Sequence, residues 1–178
     1  MKNFLSKKTL KKYSRQIVLK DVGIIGQKKI FNSKILVVGA GGLGSPVIDL
    51  LVRAGVGFLG VIENDKVDYT NLHRQTLYTS NDVGKYKSEV IKKKIKLIND
   101  KIKLKIFKER ANDKNLNKIL PKFDIIVDGT DNFPTKFLLN EYSLKYRKKL
   151  VIGAISKFDG HIFSFDFSEK KVPCLNCF

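Results

Sequence analysis

Short runs rich in Val and Ile alternate along this chain with longer stretches in which apolar residues recur every three or four positions. The short runs read as strands covered on both faces and the longer ones as helices with one apolar side, so the alternation predicts a parallel sheet flanked by helices. Strands are expected at residues 34–38, 57–63, 103–108, 124–128 and 150–155, and helices near 45–54, 85–99, 114–120 and 134–146. Between 160 and 167 the period falls to two, in His-Ile-Phe-Ser-Phe-Asp-Phe, which predicts one more strand opening an antiparallel section. Residues 13–30 read as a helical segment loosely tied to the core. The expected fold class is α/β, a Rossmann-like doubly wound and mainly parallel sheet that starts an antiparallel extension toward the C-terminus.

Length narrows this to one domain over 1–178, with 1–30 as an N-terminal helical segment, because 178 residues at 43% hydrophobic content can bury one sizeable core but not two ordinary ones. The longest apolar runs fall short of the ~20 residues a membrane-spanning helix needs. The basic N-terminus lacks the apolar stretch of a secretory signal. A cytoplasmic protein with no membrane partner is expected. The formal charge of +18 raises a nucleic-acid reading, yet its 30 Lys and 5 Arg are scattered over nearly every element instead of marking one face, so no nucleic-acid partner is expected. Such a charge does attract anionic ligands and acidic proteins.

Candidate chemistry begins where the first strand runs into Gly39-Ala40-Gly41-Gly42-Leu43-Gly44, a G-x-G-x-x-G ahead of a helix. Glycines there let the backbone approach a phosphate, and the helix start offers unpaired N–H groups. Gly39, Gly41, Gly42 and Gly44 are therefore candidate nucleotide-binding positions. Glu63 closes the next strand some twenty residues on, where a carboxylate can accept ribose hydroxyls. The same features would suit an NAD-dependent oxidoreductase, so the loop by itself specifies a nucleotide and no more.

A long polar stretch follows, from Asn64 to Gln75, and then Lys87 at the opening of a helix. The fourth strand ends in Asp128-Gly129-Thr130-Asp131-Asn132, at the carboxyl edge where doubly wound folds bind ligands. Arg, Lys and Asp arriving at a phosphate loop suit triphosphate chemistry better than hydride transfer, with cations on the phosphates and a carboxylate on magnesium.

These residues carry a resemblance. The chain from Tyr13 onward resembles the ThiF/HesA/MoeB adenylyltransferases, relatives of the ubiquitin-activating enzymes, in Tyr13-Ser14-Arg15-Gln16-Ile17, in the glycine loop with Ala54-Gly55-Val56-Gly57, in Thr70-Asn71-Leu72-His73-Arg74-Gln75, in Lys87 and in Asp128-Gly129-Thr130-Asp131-Asn132. The resemblance implies adenylation, with ATP and Mg2+, of the C-terminal glycine of a ubiquitin-like sulfur-carrier protein ending in Gly-Gly, in molybdopterin or thiamine biosynthesis. It implies that Gly42 lies against the nucleotide, that Glu63 binds ribose, that Asn71, Arg74 and Lys87 contact phosphates, that Asp131 binds magnesium with Asn132 beside it at the nucleotide, and that Arg15 reaches into the partner's site of a homodimer. A carboxylate is already ionised at neutral pH, so its attack on phosphorus needs no general base, and His73 and His161 receive no role. Glu63 stands where relatives usually have Asp. Simpler readings stand beside these: Asp131 and Asn132 could cap a helix, Lys87 could be one more exposed lysine, and Arg15 could be a surface residue.

Cys174-Leu175-Asn176-Cys177 supplies half of the four ligands a structural Zn2+ takes. In the family the second pair comes from a later region, which also carries much of the carrier groove and is expected to be absent from this chain. A redox pair is the alternative for these cysteines. With partner contacts missing, an inactive nucleotide-binding fragment is a further expectation.

Overall fold

The structure is a computed structural model and describes residues 6–169 and 172–177, so the first five residues of the N-terminal segment lie outside it. Six strands, β1 (Lys34–Val38), β2 (Phe58–Ile62), β3 (Lys103–Phe107), β4 (Ile125–Asp128), β5 (Lys149–Ser156) and β6 (Asp159–Asp166), form one sheet in the order β3-β2-β1-β4-β5-β6. The first five pair in parallel, and β6 returns antiparallel along the whole of β5. The α/β class and the late antiparallel strand are as the hydrophobic pattern predicts.

Position in the sheet explains the strand sequences. β1 lies centrally and is apolar after its first residue because both of its faces are covered, whereas β3 at one edge alternates Lys with apolar residues. On one face α4 (Gly44–Ala54) and α5 (Lys87–Ile98) set Ile48, Val52, Ile91 and Ile95 against Ile35, Val37, Leu59 and Val61. On the other, α6 (Asp113–Ile119) and α7 (Phe133–Lys145) set Leu116, Ile119 and Leu139 against Leu36, Ile126 and Leu150. The chain leaves β1 toward β2 on one side and returns to β4 on the other. The carboxyl ends of β1 and β4, paired at Val38 and Asp128, therefore open a crevice at the topological switch point.

The N-terminal segment departs from expectation. Its helices α1 (Lys7–Lys12), α2 (Ser14–Ile17) and α3 (Gly23–Asn32) are fastened to the core, not loosely tied. Gln27 is fully buried, and its Nε2 donates to the Ala54 carbonyl at 2.8 Å. The Tyr13 ring packs on Gly55, which ends α4 at φ +93 and has room for that ring only because it carries no side chain. Two polar or aromatic side chains in a basic stretch make a poor hydrophobic signal, and their burial depends on the shape of the α4 terminus.

Candidate nucleotide site

Two kinds of glycine build the loop between β1 and α4. Gly39 has φ +82, and a methyl group there would lie 3.1 Å from the Gly129 carbonyl oxygen, so the loop folds against the end of β4. At Gly44 a methyl group would fall 1.9 Å from the Gly39 oxygen, which makes this glycine a packing requirement. Gly41 and Gly42 are different. Hypothetical methyl groups there meet only the side chains of Gln75 at 3.8 Å and Arg74 at 3.5 Å, so these two face the polar stretch across the crevice.

Between them Ala40 is held at both ends of its backbone. Its N–H donates to Glu63 Oε2 at 2.8 Å, and its carbonyl accepts from the Tyr78 hydroxyl at 2.9 Å. Tyr78 is buried, and that burial together with the charges of Glu63 and Asp65 pushes its hydroxyl far above its ordinary pKa, so it stays a donor at any working pH. Glu63 is 6% exposed, and its Oε1 accepts the Asp65 N–H at 2.8 Å. Both carboxylate oxygens thus hold backbone, one of them in the glycine loop itself, while each has a further lone pair to accept with.

The polar stretch wraps back toward the loop. Asp68 accepts from the Thr70 N–H and hydroxyl, bonds that hold its carboxyl below the usual range, and so caps a short turn that carries Asn71. Gln75, 4% exposed, donates to Asn71 Oδ1 at 2.9 Å and fixes that amide. Arg74 is exposed beside Gly42, its guanidinium folded onto the Thr70 carbonyl at 3.2 Å. Lys87 opens α5, where its N–H donates to the Asp65 carbonyl at 2.9 Å, and its side chain is buried, contrary to the reading of one more exposed lysine. Its ammonium lies 3.7 Å from Asp65 Oδ2, beyond hydrogen-bond distance.

At the end of β4, Asn132 caps α7, its Oδ1 accepting from the Thr135 N–H at 3.0 Å and the Thr135 hydroxyl at 2.7 Å. Capping therefore accounts for Asn132 and leaves the adjacent Asp131 carboxylate exposed, its hydrogen-bond partner among the described residues being Asn132 Nδ2 at 3.5 Å. Lys136 went unnoticed in the sequence. It is 6% exposed and donates to Asp128 Oδ2, the Thr130 carbonyl and the Gly153 carbonyl at 3.0, 2.8 and 2.8 Å. Its spacing of three, four and seven residues from Leu139, Asn140 and Ser143, all buried, was the available signal. Gln75 stood in the signature at residues 70–75 without a role assigned to it, and Tyr78, also missed as a site residue, had no local signal.

Arg15 is exposed on α2 and makes no bond to the loop among the described residues. Cys174 and Cys177 lie on a short turn that α7 holds through Asn140, whose Oδ1 accepts the Leu175 N–H at 3.0 Å. Their sulfurs are 3.8 Å apart. Two thiolates at ~2.3 Å from a tetrahedral zinc would be separated by about 3.8 Å, whereas a disulfide needs about 2.05 Å. Burial would push the Cys174 thiol up, but hydrogen bonds from Asn140, from the Asn176 backbone and from Cys177 outweigh it and hold it below the ordinary value. Among the described residues no three His, Cys, Asp or Glu side chains gather into a metal site, and the two sulfurs at this separation could supply two of the four ligands of a tetrahedral zinc. A lone carboxylate at Asp131 fits Mg2+, which one or two carboxylates and phosphate oxygens commonly hold.

A glycine loop at a switch point, bordered by Gln75 and Arg74 and folded against Gly129 at the end of β4, defines a Rossmann-type domain. The chain belongs to the ThiF family, whose pattern matches residues 13–178. It is 42% identical over 175 residues to the sulfur carrier protein adenylyltransferase of Thermus thermophilus, covering 97% of this chain and 65% of that protein. It is 40% identical over 156 residues to a probable molybdopterin-synthase adenylyltransferase of Porphyra purpurea, covering 88% and 41%. Among solved structures, E. coli MccB with ATP superposes with a TM-score of 0.81 at 26% identity, over 99% of this chain and 53% of that one. The chain thus spans between two fifths and two thirds of the length of these curated relatives.

Proposed function

We propose that this chain carries the nucleotide-binding half of an enzyme that adenylates the C-terminal glycine of a ubiquitin-like sulfur-carrier protein, for sulfur insertion in molybdopterin or thiamine biosynthesis. The observation that carries the reading is the buried Lys87, whose ammonium makes no hydrogen bond of 3.5 Å or less among the described residues; an exposed Arg74 borders Gly42. A buried cation held this way suits an anion with several acceptor oxygens.

The chemistry asks little of the protein beyond placement and charge neutralisation. Gly41 and Gly42 would let the triphosphate approach the loop backbone, Asn71, Arg74 and Lys87 would hold its oxygens, and Glu63 would accept the ribose hydroxyls. Asp131 would hold Mg2+, whose charge offsets that of the phosphates and of departing pyrophosphate. The carrier's terminal carboxylate attacks phosphorus already ionised, which explains a site without a general base. A cavity of about 360 Å³ beside Asp128 and Gly129, lined by Leu43, Val47, Val127 and Ile155, would take the carrier's glycine tail. Arg15 belongs to this reading as a residue offered to a partner subunit of a homodimer, and Cys174 with Cys177 as half of a zinc site that two further ligands complete.

ATP–pyrophosphate exchange, with and without a carrier ending in Gly-Gly, tests the proposal. Carrier-dependent exchange supports it. Binding of NADH without any binding of ATP overturns it in favour of an oxidoreductase, and ATP binding without exchange reduces the chain to a nucleotide-binding fragment.

A further inference from the structure

Lys136 is a buried cation for which the nucleotide chemistry above has no use. An ammonium has three hydrogens, and here all three are spent: on Asp128 Oδ2, on the Thr130 carbonyl and on the Gly153 carbonyl. It therefore has no donor left for a phosphate, in contrast to Lys87. What it does hold is the turn between β4 and α7. Asp128 Oδ1 accepts both the Thr130 N–H at 2.8 Å and the Thr130 hydroxyl at 2.6 Å, so the Asp128 and Lys136 pair engages every polar group of Thr130. Gly153 lies one residue past the last pairing of β5 with β4, Asp128↔Ile152, and Lys136 closes the gap where the two strands part.

We propose that Lys136 is a positioning residue that, through Asp128 and Thr130, fixes the direction in which Asp131 presents its carboxylate to nucleotide-bound magnesium. The inference rests on the adenylation reading and deepens it. Asp131 is clamped from both sides, by Thr130 before it and by the cap of Asn132 after it, while its own carboxylate stays exposed. Gly129 ties the same turn to the end of β1, its N–H donating to the Val38 carbonyl at 2.9 Å, and lies against Gly39 and Gly44 of the loop. A buried ion pair gains little net stability, since desolvation offsets most of its Coulomb attraction. What three directed bonds do supply is a single orientation for the turn.

The test is calorimetric titration of the full chain with ATP, in the presence and absence of Mg2+, for wild type, Asp131→Ala and the double variant Asp128→Asn with Lys136→Met. Removing both charges together avoids leaving one buried without a partner. In the double variant magnesium affinity should fall about 10- to 100-fold, as when the groups that orient a metal ligand are removed, with ATP affinity in the absence of metal unchanged. A folded double variant with wild-type magnesium dependence, beside an Asp131→Ala variant that loses it, overturns the inference and leaves the nucleotide reading intact. Should Asp131→Ala also keep that dependence, or wild type bind no ATP, the reading fails and the inference with it. If the double variant does not fold, Lys136→Arg gives the same readout, because a planar fork keeps the charge pair but cannot serve three converging acceptors: a lowered magnesium dependence supports the proposal, and an unchanged one overturns it.

Discussion

The Tyr78 hydroxyl donates to the Ala40 carbonyl at 2.9 Å, across 38 residues of sequence, from beneath the phosphate loop. With Glu63 on the N–H of the same residue, it orients the first peptides of the loop before any ligand arrives. Tyr78→Phe keeps the ring and strips the donor, leaving a buried carbonyl without its partner. A loss of about 1 to 3 kcal/mol is expected in urea unfolding, together with weaker ATP binding. Unchanged values on both counts would mean the loop does not depend on this bond.

The two kinds of glycine predict opposite outcomes. Gly44→Ala places a methyl group 1.9 Å from a backbone oxygen and should destabilise the fold by at least about 3 kcal/mol, read as a lowered unfolding midpoint. Gly42→Ala meets only the flexible Arg74 side chain at 3.5 Å, so the protein should keep its midpoint and lose ATP affinity. Matching effects from the two substitutions would contradict the distinction between packing and ligand-facing glycines.

Lys87→Met fills the same buried space without the charge. Pyrophosphate exchange should fall about 100- to 1,000-fold, as expected when one preorganised charge donor is removed, with thermal stability equal to or above that of wild type. A large drop in stability with no change in exchange would mark Lys87 as structural.

Lys149 and Asp166 face each other across β5 and β6 and form an ion pair. The Lys149 hydrogen bond, followed by that of Ser168, draws the Asp166 carboxyl down to about 2 from 3.8. A depressed folded-state value means that the stabilisation is complete above pH 3.8 and disappears as pH falls toward 2. Asp166→Asn should therefore melt below wild type at pH 6, and the difference should shrink as the pH is lowered from 4 to 2. A pH-independent difference would exclude the ion pair as its source.

Much of this molecule was legible along the chain. Strands and helices follow from apolar periodicity, a local property, and β1 and the glycine loop were readable because their residues are contiguous and each requirement is backbone geometry. The polar stretch and the Asp131 turn stood out for a related reason, since so many charges beside buried strands make no sense as packing. Placement of Lys87 was not legible. The family signature marked the position of Lys87, but nothing local says that one lysine among thirty is buried until α5 buries it, and Asn132 could not be separated from Asp131 until the cap was seen on one and not the other.

The sequence by itself determined the α/β class, the late antiparallel strand and the nucleotide loop, because each is written in residues that are neighbours. Only the tertiary structure decided that the N-terminal segment is anchored through Tyr13 and Gln27, that Tyr78 and Glu63 hold Ala40 from both sides, and that Lys136 spends all three hydrogens on one turn. The physical reason is burial: a polar side chain shielded from water must find its partners wherever the fold has brought them, and the spacing of residues along the chain says nothing about where that is.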